Sequence, residues 1–310
     1  MIRDFRARDA PELLRFLQAY FPEEEALKGT RPEEFLRIVR RIYRWDVRLL
    51  LGLAALFGRR VFRLFVTEED GRVIATTLLT FPQRAGFVSL VAVDDAYRRR
   101  GYATALLERA REATARTGRR YLALDVLYEN APARALYERL GFRGLRESRY
   151  MVRDGGVPEA EPPSDHVRRF EPEDAVRIAE IARRAAPPEV EAVLPVGPEQ
   201  FRGSRFAART LEGEGVSWVV DRGEGPEAYL AVWRSPAMIS TYCSAPVVAE
   251  TADPADVGAL VHRGVDWCAS RHASRILTQV PVANARGRAA LEGGGFRDAI
   301  ALLTLYRAVA

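Results

Sequence analysis

Hydrophobic and polar positions in the first half of the chain fall into alternating, strand-length stretches and longer stretches with helical spacing. Residues 2–6 read as a strand, 10–20 as a short amphipathic helix, and 32–57 as a longer helical region ending at Gly58. Residues 60–68 and 73–81 read as two strands, with Asp70-Gly71 between them as a hairpin signal. A continuous apolar run over 87–93 predicts a buried strand. Beyond it come a helix over 104–117 stopped by Gly118, a strand over 121–127, a helix over 132–140 and a strand over 148–152. This order mixes an antiparallel hairpin with parallel crossover units.

The segment from Asp154 to Asp165 breaks the pattern. It is rich in Gly, Pro and acidic residues, and reads as an exposed, stiff connector. Beyond it the order repeats. Ile2–Ala10 resembles Val167–Ala175, and Asn130–Phe142 resembles Asn284–Phe296, in the same order in each half. The offsets are 165 and 154 residues, so the second half is about eleven residues shorter between these landmarks. Strands are expected near 167–170, 216–221, 227–233, 238–243, 275–282 and 300–308. Helices are expected near 173–185, 198–211, 254–271 and 285–293. The repeat predicts a duplicated domain: 1–154, a linker over 155–165, and 166–310.

Composition adds limits. The 310 residues are 48% hydrophobic and 29% charged, ordinary globular values that exclude wholesale disorder. Two cysteines, Cys243 and Cys268, are too few for a disulfide framework, which makes a reducing cytoplasm the default expectation. The most apolar stretch, 49–57, is too short to span a bilayer, and the first residues lack the apolar core of a signal peptide. Three histidines and two scattered cysteines show no metal-ligand spacing, so no metal is expected. Charge is uneven: residues 1–155 carry a net +9 and 156–310 a net −4, with Lys28 the only lysine. A basic half suggests an anionic partner, and charge alone does not choose between nucleic acid, membrane and a phosphorylated cosubstrate.

The segment 90–107 narrows that choice. A buried strand runs into a turn holding Arg98, Arg99, Arg100 and Gly101, and through Tyr102-Ala103 the turn opens directly into the helix expected from Thr104. Unpaired N–H groups and the dipole make such a helix start an anion site. Gly101 permits positive φ or close approach, Ala103 is small, and the arginines add charge. A solvated charge run is the plain alternative for the arginines. In the second half the matching turn, 245–256, has no glycine, no arginine, two prolines and three acids.

Arg98-x-x-Gly101-x-Ala103 resembles the acyl-CoA pyrophosphate signature of the GCN5-related N-acetyltransferases (GNAT). Asn130-x-x-Ala133-x-x-Leu136-Tyr137 followed by Gly141-Phe142 resembles the family's second motif, which contacts the pantetheine arm. The resemblance covers residues 2–152. Asp95 stands where the family often has Pro, and Arg99 where it often has Gly. It implies an α/β (α+β) fold of two tandem GNAT-like domains, each a mixed, mainly antiparallel sheet flanked by helices. The second would be degenerate, with Leu291 in the place of Tyr137.

The activity implied is direct transfer of an acetyl or other acyl group from acetyl-CoA to an amine, on a small molecule or a peptide. A non-enzymatic acyl-CoA-binding sensor is the alternative. The two parallel strands 87–93 and 121–127 should splay to admit the pantetheine, and a backbone N–H among Val91, Ala92 and Val93 would polarise the thioester. Tyr137 stands where the family keeps its general acid, though a core aromatic would read the same way. Asn130 equally suits a helix N-cap. Glu68, Glu69, Asp94, Asp125 and Glu129 are near the site in sequence, and none is singled out as the base. Glu23–Glu25 and the aromatics of 20–57 suggest an acceptor rim suited to a cationic amine, or simply a helix start and a core. No nucleic-acid or membrane partner is expected, and a monomer or homodimer is.

Overall fold

The structure, a computed structural model, describes residues 1–43, 47, 62–82, 84–155, 164–202 and 213–309. The first half begins with strand β1 (Ile2–Asp4), helices α1 (Ala10–Tyr20), α2 (Pro22–Lys28) and α3 (Pro32–Ile42), and strands β2 (Phe62–Glu69), β3 (Arg72–Thr80) and β4 (Ala85–Val93). It continues with α4 (Tyr102–Ala115), β5 (Tyr121–Leu127), α5 (Ala131–Arg139) and β6 (Arg143–Asp154). The second half holds β7 (Val167–Arg169), α6 (Asp174–Ala185), α7 (Pro188–Val193), β8 (Glu214–Asp221), β9 (Pro226–Arg234), β10 (Thr241–Cys243) and β11 (Val247–Val248). It ends with α8 (Pro254–Ala269), β12 (Arg275–Pro281), α9 (Ala285–Gly293) and β13 (Arg297–Ala308).

The local signals explain most of these elements. Proline occupies the first turn of α1, α2 and α3, where its missing N–H costs nothing. Asp70 and Gly71 take φ of 49° and 76°, the paired positive values that a tight hairpin between right-twisted strands requires. Some expectations need correction. The helix expected over 32–57 is described only as far as Ile42, and its remainder falls largely outside the described residues. The strand expected over 238–243 is confined to its last three residues, β10, and the short β11 after Pro246 was not expected. Of the helix expected over 198–211, a single 3-10 turn at Pro198–Gln200 is described, with 203–212 outside the described residues. Helix α7 was not anticipated.

The sheet is one continuous surface with strand order β1-β2-β3-β4-β5-β13-β6-β12-β10-β9-β8-β7, and β11 pairs with β9. Among the described strands, only β4/β5 and β10/β12 are parallel. The last strand of each half crosses into the other. β13 lies between β5 and β6, with Thr304 opposite Asp125, and β6 pairs with β12, with Tyr150 opposite Gln279. Burial follows the exchange. Met151 of β6 packs in the core of the second half, whereas Leu305 of β13 and Val309 just beyond it pack in that of the first.

The internal repeat is also visible as repeated bonds. Arg3 clamps Asp9 through both terminal nitrogens (2.7 and 2.9 Å) and reaches Glu68 at 2.6 Å. Arg168 clamps Asp174 (2.8 Å twice) and reaches Asp221 at 2.7 Å. Burial works against the Asp9 charge, but the hydrogen bonds from Arg3 and the Arg6 N–H, with the Arg3 and Arg8 charges, together hold the carboxyl below its usual range. Asp9 is 5% exposed and its partner 11%. Arg3→Met therefore strands a buried carboxylate, at an expected cost of about 3 kcal/mol, read as a fall in the urea midpoint. Because the folded pKa is depressed, this stabilisation is full above the unfolded value of about 3.9 and fades as the pH falls through the folded one. Wild type and variant should converge in acid; a deficit that persists there would assign the loss to packing instead.

Candidate functional site

Strands β4 and β5 diverge. Their parallel pairing runs from Ala85/Tyr121 to Val88/Leu124 and then stops, so 89–93 and 125–127 form the two arms of a wedge. A bulge lies on the β4 arm. The β3–β4 register slips between Thr76/Ala92 and Leu78/Ser89, and Leu90 takes a φ of 56°. Left-handed backbone at a non-glycine residue costs about 1–3 kcal/mol, and bulges of this kind re-aim backbone groups beside active sites.

At the mouth of the wedge the chain turns into α4. Arg99 and Gly101 have φ of 64° and 85°, and Gly101 is the residue just before the helix. Positive φ is thus the reason for glycine here, because a Cβ at Gly101 would meet nothing within 4 Å. None of the N–H groups from Arg99 to Thr104 donates to a protein acceptor among the described residues. They form a nest with open space before it, the geometry that receives a phosphate.

Among the described residues, α1 anchors the loop. The Asp95 N–H donates to the Tyr20 hydroxyl at 3.2 Å, Arg98 lies 5.3 Å over the Tyr20 ring, and Arg15 pairs with Asp94 at 3.2 Å. Tyr20 is a loop-positioning residue that the sequence reading had placed only on the acceptor rim.

The wedge and nest open into one cleft of about 970 Å³. Val91, Ala92 and Val93 line one arm, Arg98, Arg99 and Gly101 the mouth, and Tyr102, Ala103 and Thr104 the helix start. Asn130, Ala133 and Tyr137 line the α5 side. Arg100 is the exception among the sequence-predicted residues: it does not line the cleft, and its guanidinium lies 5.2 Å over Tyr97. Three successive residues in a turn cannot all face one way. Asn130 caps α5, its Oδ1 accepting from the Ala133 N–H at 3.1 Å, while still lining the cleft. Tyr137 is 6% exposed and packs edge-on against Phe142. Burial pushes its phenol up to about 12, so it stays protonated at neutral pH.

The neighbouring acids separate. Glu68 is tied to Arg3, Glu69 accepts from the Tyr102 hydroxyl, and Asp94 caps the Ala96 N–H. Glu129 and Asp125 line the cleft. Asp125 accepts from Thr304 Oγ1 at 2.6 Å and from Gln279 Nε2 at 2.9 Å, both residues of the second half. Gln279 stands 154 positions after Asp125, the offset of the repeat, which is the signal that would have found it.

The matching place in the second half is filled by the protein itself. Asp253 caps α8, accepting from the Ala255 N–H at 2.9 Å, and Arg222 bridges Asp253 and Asp256. Asn284 donates to the Pro246 carbonyl at 2.8 Å, tying the start of α9 to the strand break.

The sequence profile of the Acetyltransferase (GNAT) family matches residues 13–142. Over that span the chain resembles the GNAT family. An N-alpha-acetyltransferase of Sulfurisphaera tokodaii is 33% identical over 104 residues, covering 29% of this chain and 62% of the relative. The whole chain resembles the tandem GNAT protein from the clavulanic acid biosynthesis pathway, with a TM-score of 0.64 and 16% identity, covering 100% of this chain and 98% of that one. It also resembles a GCN5-related N-acetyltransferase from Sphaerobacter thermophilus, with a TM-score of 0.62 and 15% identity, covering 100% and 95%. At these identities the likeness shows the fold: two GNAT units in tandem. No described helix is long and apolar enough to cross a membrane.

Proposed function

We propose that the first half transfers an acyl group from acetyl-CoA to an amine. The observation that carries this reading is the nest of free N–H groups from Arg99 to Thr104, set at the mouth of the β4–β5 wedge. It offers donors and positive charge to the pyrophosphate, and the wedge offers a slot for the pantetheine. The family match over residues 13–142 supports the same cosubstrate.

In this reading the acceptor nitrogen, neutral when it attacks, bonds to the thioester carbonyl carbon. Negative charge grows on the carbonyl oxygen, and N–H groups at the bulged arm, Val91 to Val93, stabilise it. The C–S bond breaks, and Tyr137 donates its proton to the departing sulfur. The acceptor's surplus proton leaves to solvent. In the second half the matching helix start, at α8, is occupied by the protein's own carboxylates. One acetyl-CoA per chain is therefore expected.

Calorimetric titration with acetyl-CoA, followed by thiol release with a panel of amines, tests this. One site and amine-dependent release support it. Binding without release on any amine points to a sensor, and two sites overturn the account of the second half. Tyr137→Phe should lower kcat by about 10²- to 10⁴-fold, with acetyl-CoA affinity within about twofold of wild type. An equal loss in both would make Tyr137 a packing residue.

A further inference from the structure

The closed end of the cleft is built by both halves. Strands β5 and β12 are three strand spacings apart, about 14 Å in a flat sheet. Yet Gln279 of β12 touches Asp125 of β5 at 2.9 Å, so the sheet curls and brings the two face to face. Each Asp125 oxygen receives one neutral donor, Thr304 or Gln279, and Asp125 forms no ion pair among the described residues. Its remaining lone pairs are unused. Behind it the partly buried Arg146 bonds Thr304 at 3.5 Å and interacts with the Asp125 charge, but does not line the cleft.

Opposite stand Tyr150 and the end of α2. Lys28 lies 5.5 Å over the Tyr150 ring and pairs with Glu24. Lys28 is thus already neutralised, and Glu23 and Asp125 leave this end of the cleft acidic. The α2 wall is fixed to the second half: Ser240 N–H donates to the Lys28 carbonyl (3.0 Å), Ile239 N–H to Gly29 (2.7 Å), and Arg31 N–H to Ala237 (2.7 Å).

An attacking amine must be uncharged, so a fixed carboxylate gains little by binding it. The acidic end suits a group that keeps its charge. Asp125 is level with Ser89, and Val91 lies two residues, or about 7 Å, further along the wedge. We propose that the second half completes the acceptor site: Gln279 and Thr304 hold the Asp125 carboxylate against the cleft, where it receives the second cationic group of a small aliphatic diamine. This rests on the N-acyltransferase reading above. Asp125 is the recognition residue, and Gln279 and Thr304 are positioning residues.

The test compares 1,5-diaminopentane, n-pentylamine and a tetrapeptide with a free α-amine as acceptors for the full chain, by thiol release from acetyl-CoA. Wild type should favour the diamine over pentylamine by about tenfold or more in kcat/KM. Asp125→Asn should erase that preference. Thr304→Val and Gln279→Leu should raise the diamine KM by about fivefold with kcat within about twofold, and Thr304→Ser should restore it. Acetyl-CoA affinity, measured by calorimetry, should stay within about twofold in every variant, which also shows that each is folded. Equal use of diamine and pentylamine by wild type, a preference that survives Asp125→Asn, or turnover of the tetrapeptide alone would overturn the proposal and leave the transferase standing. Failure of wild type to bind acetyl-CoA would overturn both.

Discussion

Gly101→Glu is expected to remove acetyl-CoA binding while leaving the fold in place. The site of substitution is exposed, and a Cβ there meets nothing within 4 Å, so no core contact is lost. Two effects act against the ligand. A side chain at φ 85° strains the nest by about 1–3 kcal/mol and pulls its N–H groups out of line. A carboxylate about 4 Å from a phosphate charge costs about 4 kcal/mol at an effective dielectric of 20. That term alone weakens binding by about a thousandfold. Gly101→Ala separates the two, since it keeps the strain and omits the charge, and should weaken binding by about tenfold. Calorimetry with acetyl-CoA and a thermal melt of each variant read this out. A Gly101→Glu protein that binds like wild type would remove the nest from the account of the site.

Features set by neighbouring residues were legible before the structure. The Asp70-Gly71 hairpin, the turn at Gly101 and the Asn130 cap each depend on a few adjacent side chains. The divergence of β4 from β5 was also anticipated, though from the family resemblance and not from spacing. The strand exchange was not legible. Alternation along β13 says that Leu305 must be buried, and it would be buried equally well in either half. Pairing partners are chosen by loop reach and competition between distant edges, which periodicity does not encode. The repeat offset makes Asp125 and Gln279 equivalent positions, but their contact stayed hidden by the same gap, because it exists only when the exchanged strands curl the sheet. Arg100 is a smaller case: the sequence puts three arginines in the turn, and backbone direction sends one to Tyr97.

The exchange makes the isolated first half an unsatisfied molecule. A fragment of residues 1–155 keeps β6 and lacks β13. It loses Leu305 and Val309 from its core, 3% and 4% exposed in the full chain, which at about 2 kcal/mol each is a large part of a domain's stability. Arg307, which bonds the Leu140 carbonyl at 2.7 Å and Glu108, goes with them. The outer edge of β5 is left bare, and bare edges recruit strands. A suitable strand is present on a second copy. Arg153 of β6 bonds the Gly294 carbonyl at 3.0 Å, the counterpart of Arg307 on Leu140 at the 154-residue offset, and Met151 stands where β13 has Leu305. Two fragments can therefore exchange β6 strands through one self-complementary interface. Light scattering should give about twice the fragment mass, with dissociation coupled to unfolding. A stable monomer that binds acetyl-CoA as the full chain does would show that β13 is dispensable to the first half. The dimer would instead show that the second copy of the repeat stands in for a partner subunit, joined by a linker to the surface it must cover.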